Sequence, residues 1–139
     1  VIPTPSEIER AIDSGGVPLR EMFASADCDS LLDLRDSSSD FDAAWQAAHK
    51  TTEKIRFILN EPIPTTTLRE LAFKAVFDAT EHHDLAACVS DDFGLIGCAG
   101  YVSSHDSIDG FRDATIEWLW QEYSDGRLPI PPMPGSTEP

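Results

Sequence analysis

Along most of the chain, apolar residues recur at three- and four-residue intervals, the spacing of a helix with one buried face. The pattern is clearest over Phe41, Ala44, Trp45, Ala48, Thr52, Ile55 and Leu59. Asp40 stands where it can cap that helix. Asn60-Glu61-Pro62-Ile63-Pro64 stops it, because proline removes a backbone donor and disfavours helix in the residue before it. Upstream, Thr4-Pro5-Ser6-Glu7 has the form of a capping box with proline at the first helical position, and Gly15-Gly16 ends the helix it opens. A short helix using Leu19, Met22 and Phe23 follows Pro18, and Asp33 to Ser39 is expected to be a polar loop.

Downstream, Thr67-x-x-Glu70 opens a helix with a wide apolar set, Leu68, Leu71, Ala72, Ala75, Val76 and Ala79, which places it centrally in a bundle. The chain is expected to bend past Glu81-His82-His83 and to restart a helix at Ser90, with Asp91 and Asp92 favouring the positive end of the helix dipole. Gly94, Gly97 and Gly100 weaken that helix by up to about 1 kcal/mol each relative to alanine, so close contact with neighbouring helices is expected to compensate. A last helix is predicted from near Ser104 to Asp125-Gly126, carrying Ile108, Phe111, Ile116, Trp118, Leu119, Trp120 and Tyr123.

No stretch alternates apolar and polar residues as a strand does. The predicted class is therefore all-α, an irregular bundle of five or six helices with an extended proline-rich C-terminal tail. The expected organisation is a single helical domain over 1–128, with short helices and a polar loop over 1–39, a helical core over 40–128, and the tail over 129–139, extended unless docked on the bundle. Apolar runs such as Leu85 to Val89 are short, and none approaches the roughly 20 residues of a membrane-spanning helix. No secretory signal is visible, and Cys28, Cys88 and Cys98 form no paired motif, so a reducing, cytoplasmic setting is expected.

Charge changes the picture most. The net charge is −15, and residues 75–139 hold twelve acids against only Arg112 and Arg127. Such a field repels nucleic acid and membranes and attracts basic proteins; it also serves solubility.

Candidate chemistry is sparse. No serine or cysteine sits in a nucleophile-elbow or cysteine-protease context, and no glycine-rich phosphate loop occurs, so an enzyme is not expected. The group Glu81-His82-His83-Asp84, with Cys88, Cys98 and His105-Asp106, lacks metal-ligand spacing, and neighbouring helical histidines diverge by about 100°. Neither metal nor cofactor is expected. On the predicted last helix, Asp106, Asp109, Asp113 and Glu117 fall within an arc of about 80° as one acidic stripe, relieved locally only by Arg112. Trp118 and Trp120 lie at the edges of the apolar arc around Leu119, either as core-edge residues or as anchors for a partner.

The segment Leu85 to Ile96, followed by an aromatic helix ending Trp120-Gln121-Glu122-Tyr123-Ser124-Asp125-Gly126-Arg127-Leu128-Pro129, resembles small bacterial helical proteins of the toxin-immunity type over about residues 65–130. The resemblance implies a cytoplasmic protein that binds a toxin's catalytic domain and blocks it. The charge pattern leads to the same expectation. An acidic binding protein would inhibit a basic partner, such as a nucleic-acid-acting toxin, or mimic nucleic acid, through Asp106, Asp109, Asp113, Glu117, Trp118 and Trp120. The alternative is a structural or adaptor subunit, of a phage or a complex, without catalytic activity.

Overall fold

The computed structural model describes residues 2–105 and 111–134. Among the described residues there are seven α-helices and no strand. They are α1 (Pro5–Ser14), α2 (Leu19–Phe23), α3 (Cys28–Ser37), α4 (Ser39–Leu59), α5 (Thr66–Thr80), α6 (His83–Ser103) and α7 (Ala114–Ser124). The all-α class stands as expected from the sequence, with seven helices among the described residues in place of the five or six expected.

Local signals set several ends as anticipated. Thr4 and Glu7 form a reciprocal capping box on α1, and Gly15 closes that helix with φ of 84°. Asn60 ends α4 in the left-handed conformation. Elsewhere tertiary contacts override local signals. The segment expected as a polar loop is α3, started by the Asp27 carboxylate accepting from the Ser30 amide, with Leu31 and Arg35 turned into the protein. Ser38 rather than Asp40 caps α4, accepting from the Phe41 amide. Helix α5 starts at Thr66, one residue before the expected cap at Thr67, and buried Thr65 occupies the N-cap without a side-chain capping bond.

Helix α6 does not break at Ser90. It runs unbroken from His82, whose ring Nδ1 accepts from the Leu85 amide, and the Ser90 hydroxyl donates to the Arg69 carbonyl on α5. By length and composition α6 could cross a membrane, with mean hydropathy 1.3 over its most apolar window, contrary to the expectation that no stretch approaches that character. It is instead the core helix, with 72% of that window buried. Helix α5 packs along it most extensively, and α1, α4 and α7 touch its other sides. The main core centres on Phe23, Leu68, Val76, Leu85, Val89, Phe93, Ile96, Ile116, Leu119 and Tyr123. A smaller cluster of Ile55, Ile63, Cys98 and Val102 sits at the far end of α4.

Close packing compensates for the glycines of α6. A methyl group on Gly97 would stand 2.9 Å from Leu68 Cδ2, and one on Gly100 would stand 1.8 Å from the Pro3 carbonyl oxygen. The start of the proline-rich tail is docked: Pro129 is buried, and Leu128 and Met133 pack on the main core.

The predicted last helix is corrected most. Ser104 is the C-cap of α6, and α7 begins only at Ala114, with Phe111 to Asp113 outside any helix. Asp113 has extended backbone, φ −138°, and its carboxylate accepts from the Ile116 amide as the N-cap. Asp106 and Asp109 lie outside the described residues. The four acids therefore do not form one stripe on one helix.

Candidate functional site

Arg35 of α3 and Asp92 of α6 are charged residues at positions that helical spacing assigns to the core. Arg35 stands four residues after buried Leu31, and Asp92 stands between Val89 and Ile96. They meet in the interior, with Arg35 5% and Asp92 0% exposed. Arg35 Nη1 donates to Asp92 Oδ2 at 2.7 Å and Nη2 to Oδ1 at 2.8 Å, the fork geometry that guanidinium and carboxylate favour. The Tyr123 hydroxyl of α7 donates to Oδ2 at 2.7 Å, and Trp45 Nε1 of α4 donates to Oδ1 at 3.0 Å. One carboxylate thus takes four hydrogen bonds from three other helices. The Arg35 guanidinium also lies 4.8 Å from the centroid of the Phe41 ring.

Electrostatics follow from this geometry. Burial works against the charge on Arg35, but the Asp92 carboxylate beside it holds its pKa above the ordinary value. Burial and the same carboxylate push the Tyr123 hydroxyl well up, so it stays a donor. The Cys88 thiol is pushed up to about 12, first by burial and then by Asp92. Burial takes Cys98 to about 11. Both remain protonated at neutral pH and are poor nucleophiles. Alkylation of the native protein at neutral pH is therefore expected to modify half-exposed Cys28 first, which peptide mapping by mass spectrometry checks.

The network forms the floor of a cleft of about 360 Å³ between α3, α4 and α6. Phe41, Trp45, Ala87 and Cys88 supply its apolar walls, and Asp36, Asp42, Asp84 and Asp91 stand at its mouth. All four mouth carboxylates belong to exposed residues. Asp91 pairs with Arg69 at 2.8 Å and Asp84 lies 3.6 Å from a His83 nitrogen, whereas Asp36 and Asp42 join no ion pair among the described residues. Because Arg35 is cancelled by Asp92, the mouth presents a net negative field. A second hollow of about 260 Å³ adjoins it, sharing Trp45 and Asp91.

Among the described residues no three His, Cys, Asp or Glu side chains group as metal ligands. His82 is engaged as the α6 cap, with Nε2 2.9 Å from Asp29, and His83 meets the Phe73 ring edge-on. Asp91 and Asp92, expected in a first helical turn, sit in the middle of α6 with separate tasks.

Of the residues selected from sequence, Asp113 serves as a cap and Glu117 pairs with Arg112 at 2.6 and 2.9 Å. Trp118 and Trp120 are half-buried and pack on the main core around buried Leu119. Trp118 lies edge-on to Phe41, ring centroids 6.0 Å apart, and so abuts the cleft wall. The network itself was absent from the sequence reading. Its available signal was a charged residue at the register of a buried face, in Arg35 and again in Asp92.

A helical bundle with a satisfied buried ion pair beneath an acidic cleft has the features of a binding protein. Residues 7–130 match the family described as immunity protein PIM1, and the chain belongs to that family. Neither curated proteins nor solved structures give a match. Membership supports a toxin-neutralising role and a toxin as the partner.

Proposed function

We propose that this chain neutralises a basic, nucleic-acid-acting toxin by presenting its acidic cleft to the toxin's substrate groove. The observation that carries this reading is the mouth of the cleft, where Asp36 and Asp42 have no ion-pair partner among the described residues and Asp84 and Asp91 stand beside them. A surface that binds polyanionic nucleic acid is basic, and a concave acidic face complements it and accelerates encounter. Trp118, abutting Phe41, extends the apolar part of this surface toward α7, where Asp113, Glu117 and Trp120 form a secondary acidic and aromatic margin. The protein acts as an inhibitor without catalysis of its own, in the cytoplasm, where its three free thiols stay reduced.

The test is stopped-flow association with the cognate toxin domain at two salt concentrations. Replacing Asp36, Asp42 and Asp84 together by Asn is expected to slow association about tenfold or more at low salt and to flatten its salt dependence, with the thermal melt unchanged. A parallel variant with Asp106, Asp109, Asp113 and Glu117 neutralised measures the secondary margin. Equal association rates and salt slopes for wild type and the cleft variant would refute the assignment of the cleft.

A further inference from the structure

One surface is at odds with the rest of this acidic protein. Phe57 is 86% and Ile58 66% exposed, adjacent on the last turns of α4, and no described residue covers them. Gln46, Lys50, Lys54, Phe57 and Ile58 follow at four- and three-residue spacings and share the outward face of that helix. Neither Lys50 nor Lys54 joins an ion pair among the described residues. The stripe ends in an apolar knob with cations behind it. Gln46, at its other end, lines the acidic cleft. Knob and cleft therefore lie toward opposite ends of one helix, on continuous surface.

We infer that this face docks a second copy of the chain, the Phe57–Ile58 knob of each copy entering the other's cleft in a two-fold antiparallel arrangement. Charge selects this occupant. A basic toxin would be repelled by Lys50 and Lys54, whereas the chain's own cleft mouth offers Asp36 and Asp42 to Lys54 and apolar walls at Phe41 and Trp45 to Phe57. Two-fold symmetry makes each contact twice, so one complementary pair of features serves both halves of the interface. The dimer closes both clefts and is a self-capped form of the protein. The exclusion of the toxin from this face rests on the proposed basic-toxin reading, whereas dimerisation is tested on this chain alone.

Sedimentation equilibrium from about 1 to about 500 μM is expected to show a monomer–dimer equilibrium. Phe57→Ser should weaken dimerisation by about thirtyfold or more with an unchanged thermal melt, since both side chains of the exchange are exposed. A charge exchange tests the pairing. Lys54→Glu alone and Asp36→Lys alone each place like charges together twice and should be monomeric, while an equimolar mixture restores opposite charges at both contacts and should form the heterodimer. A wild-type chain that stays monomeric throughout, or a Phe57→Ser variant that dimerises as wild type does, overturns the inference. A monomeric wild type whose toxin affinity falls on Phe57→Ser also overturns it, by assigning the knob to the toxin.

Discussion

Asp92→Asn is expected to lower the unfolding free energy by about 3–5 kcal/mol, which for a chain of this length moves the melting temperature down by about 10 °C or more. The substitution leaves the Arg35 guanidinium buried without a counter-charge, and an uncompensated buried charge costs more than the pair contributed. It also weakens the acceptor that Tyr123 and Trp45 share. Urea denaturation of Asp92→Asn, Tyr123→Phe and the double variant Arg35→Met with Asp92→Leu separates these effects. Tyr123→Phe removes one donor and should cost about 1–2 kcal/mol. The double variant removes both charges but orphans the Tyr123 hydroxyl and the Trp45 N–H, so it should recover only part of what the single one loses. A loss below about 1 kcal/mol for Asp92→Asn would show that water reaches Arg35 and that the network is not a closed interior feature.

Gly100→Ala is expected to be the most damaging single-methyl addition in the protein, at about 2 kcal/mol or more. Helix propensity alone predicts a gain of about 1 kcal/mol for alanine at this site. The neighbour, however, is backbone: the new methyl would sit 1.8 Å from the Pro3 carbonyl oxygen and 2.9 Å from its carbon. Main chain cannot rotate away as a side chain can, so the segment bearing Ile2 and Pro3 must lift off α6. Gly94→Ala is the internal control. There the new methyl meets Arg69 Cδ at 3.2 Å, the stem of a flexible and half-exposed side chain, and the substitution should be neutral or stabilising. Paired thermal melts decide it, and equal effects at the two glycines would refute the packing argument.

What the sequence revealed, and what it did not, divides along the range of the interactions involved. The Thr4 capping box, the inward face of α4 and the central place of Leu119 depend on residues within one or two turns, and all three are legible in the sequence. Helix α3 was not, because Asp33 to Ser39 looks solvated until Arg35 finds its partner fifty-seven positions away. The continuity of α6 was hidden for a related reason. Ser90-Asp91-Asp92 has the composition of a helix start, yet its three polar groups are satisfied by Arg69 and by the Arg35 network, both outside the helix. The acidic stripe failed on a finer point. Periodic spacing does not distinguish an aspartate inside a helix from one that begins it, and Asp113 begins α7. Net charge says nothing of where the acids gather, and those at the cleft come from α3, α4 and α6, which only the fold brings together.

The buried carboxylate at the base of the cleft completes its hydrogen bonds entirely with Arg35, Tyr123 and Trp45 and asks nothing of the rim above it. Substitutions at Asp36, Asp42 or Asp84 therefore change the pattern of surface charge at a cost of no more than about 1 kcal/mol each, from the first-turn places of Asp42 and Asp84, while the base tolerates very few. On the reading proposed above, the rim can be rewritten to suit a different toxin on an unchanged scaffold.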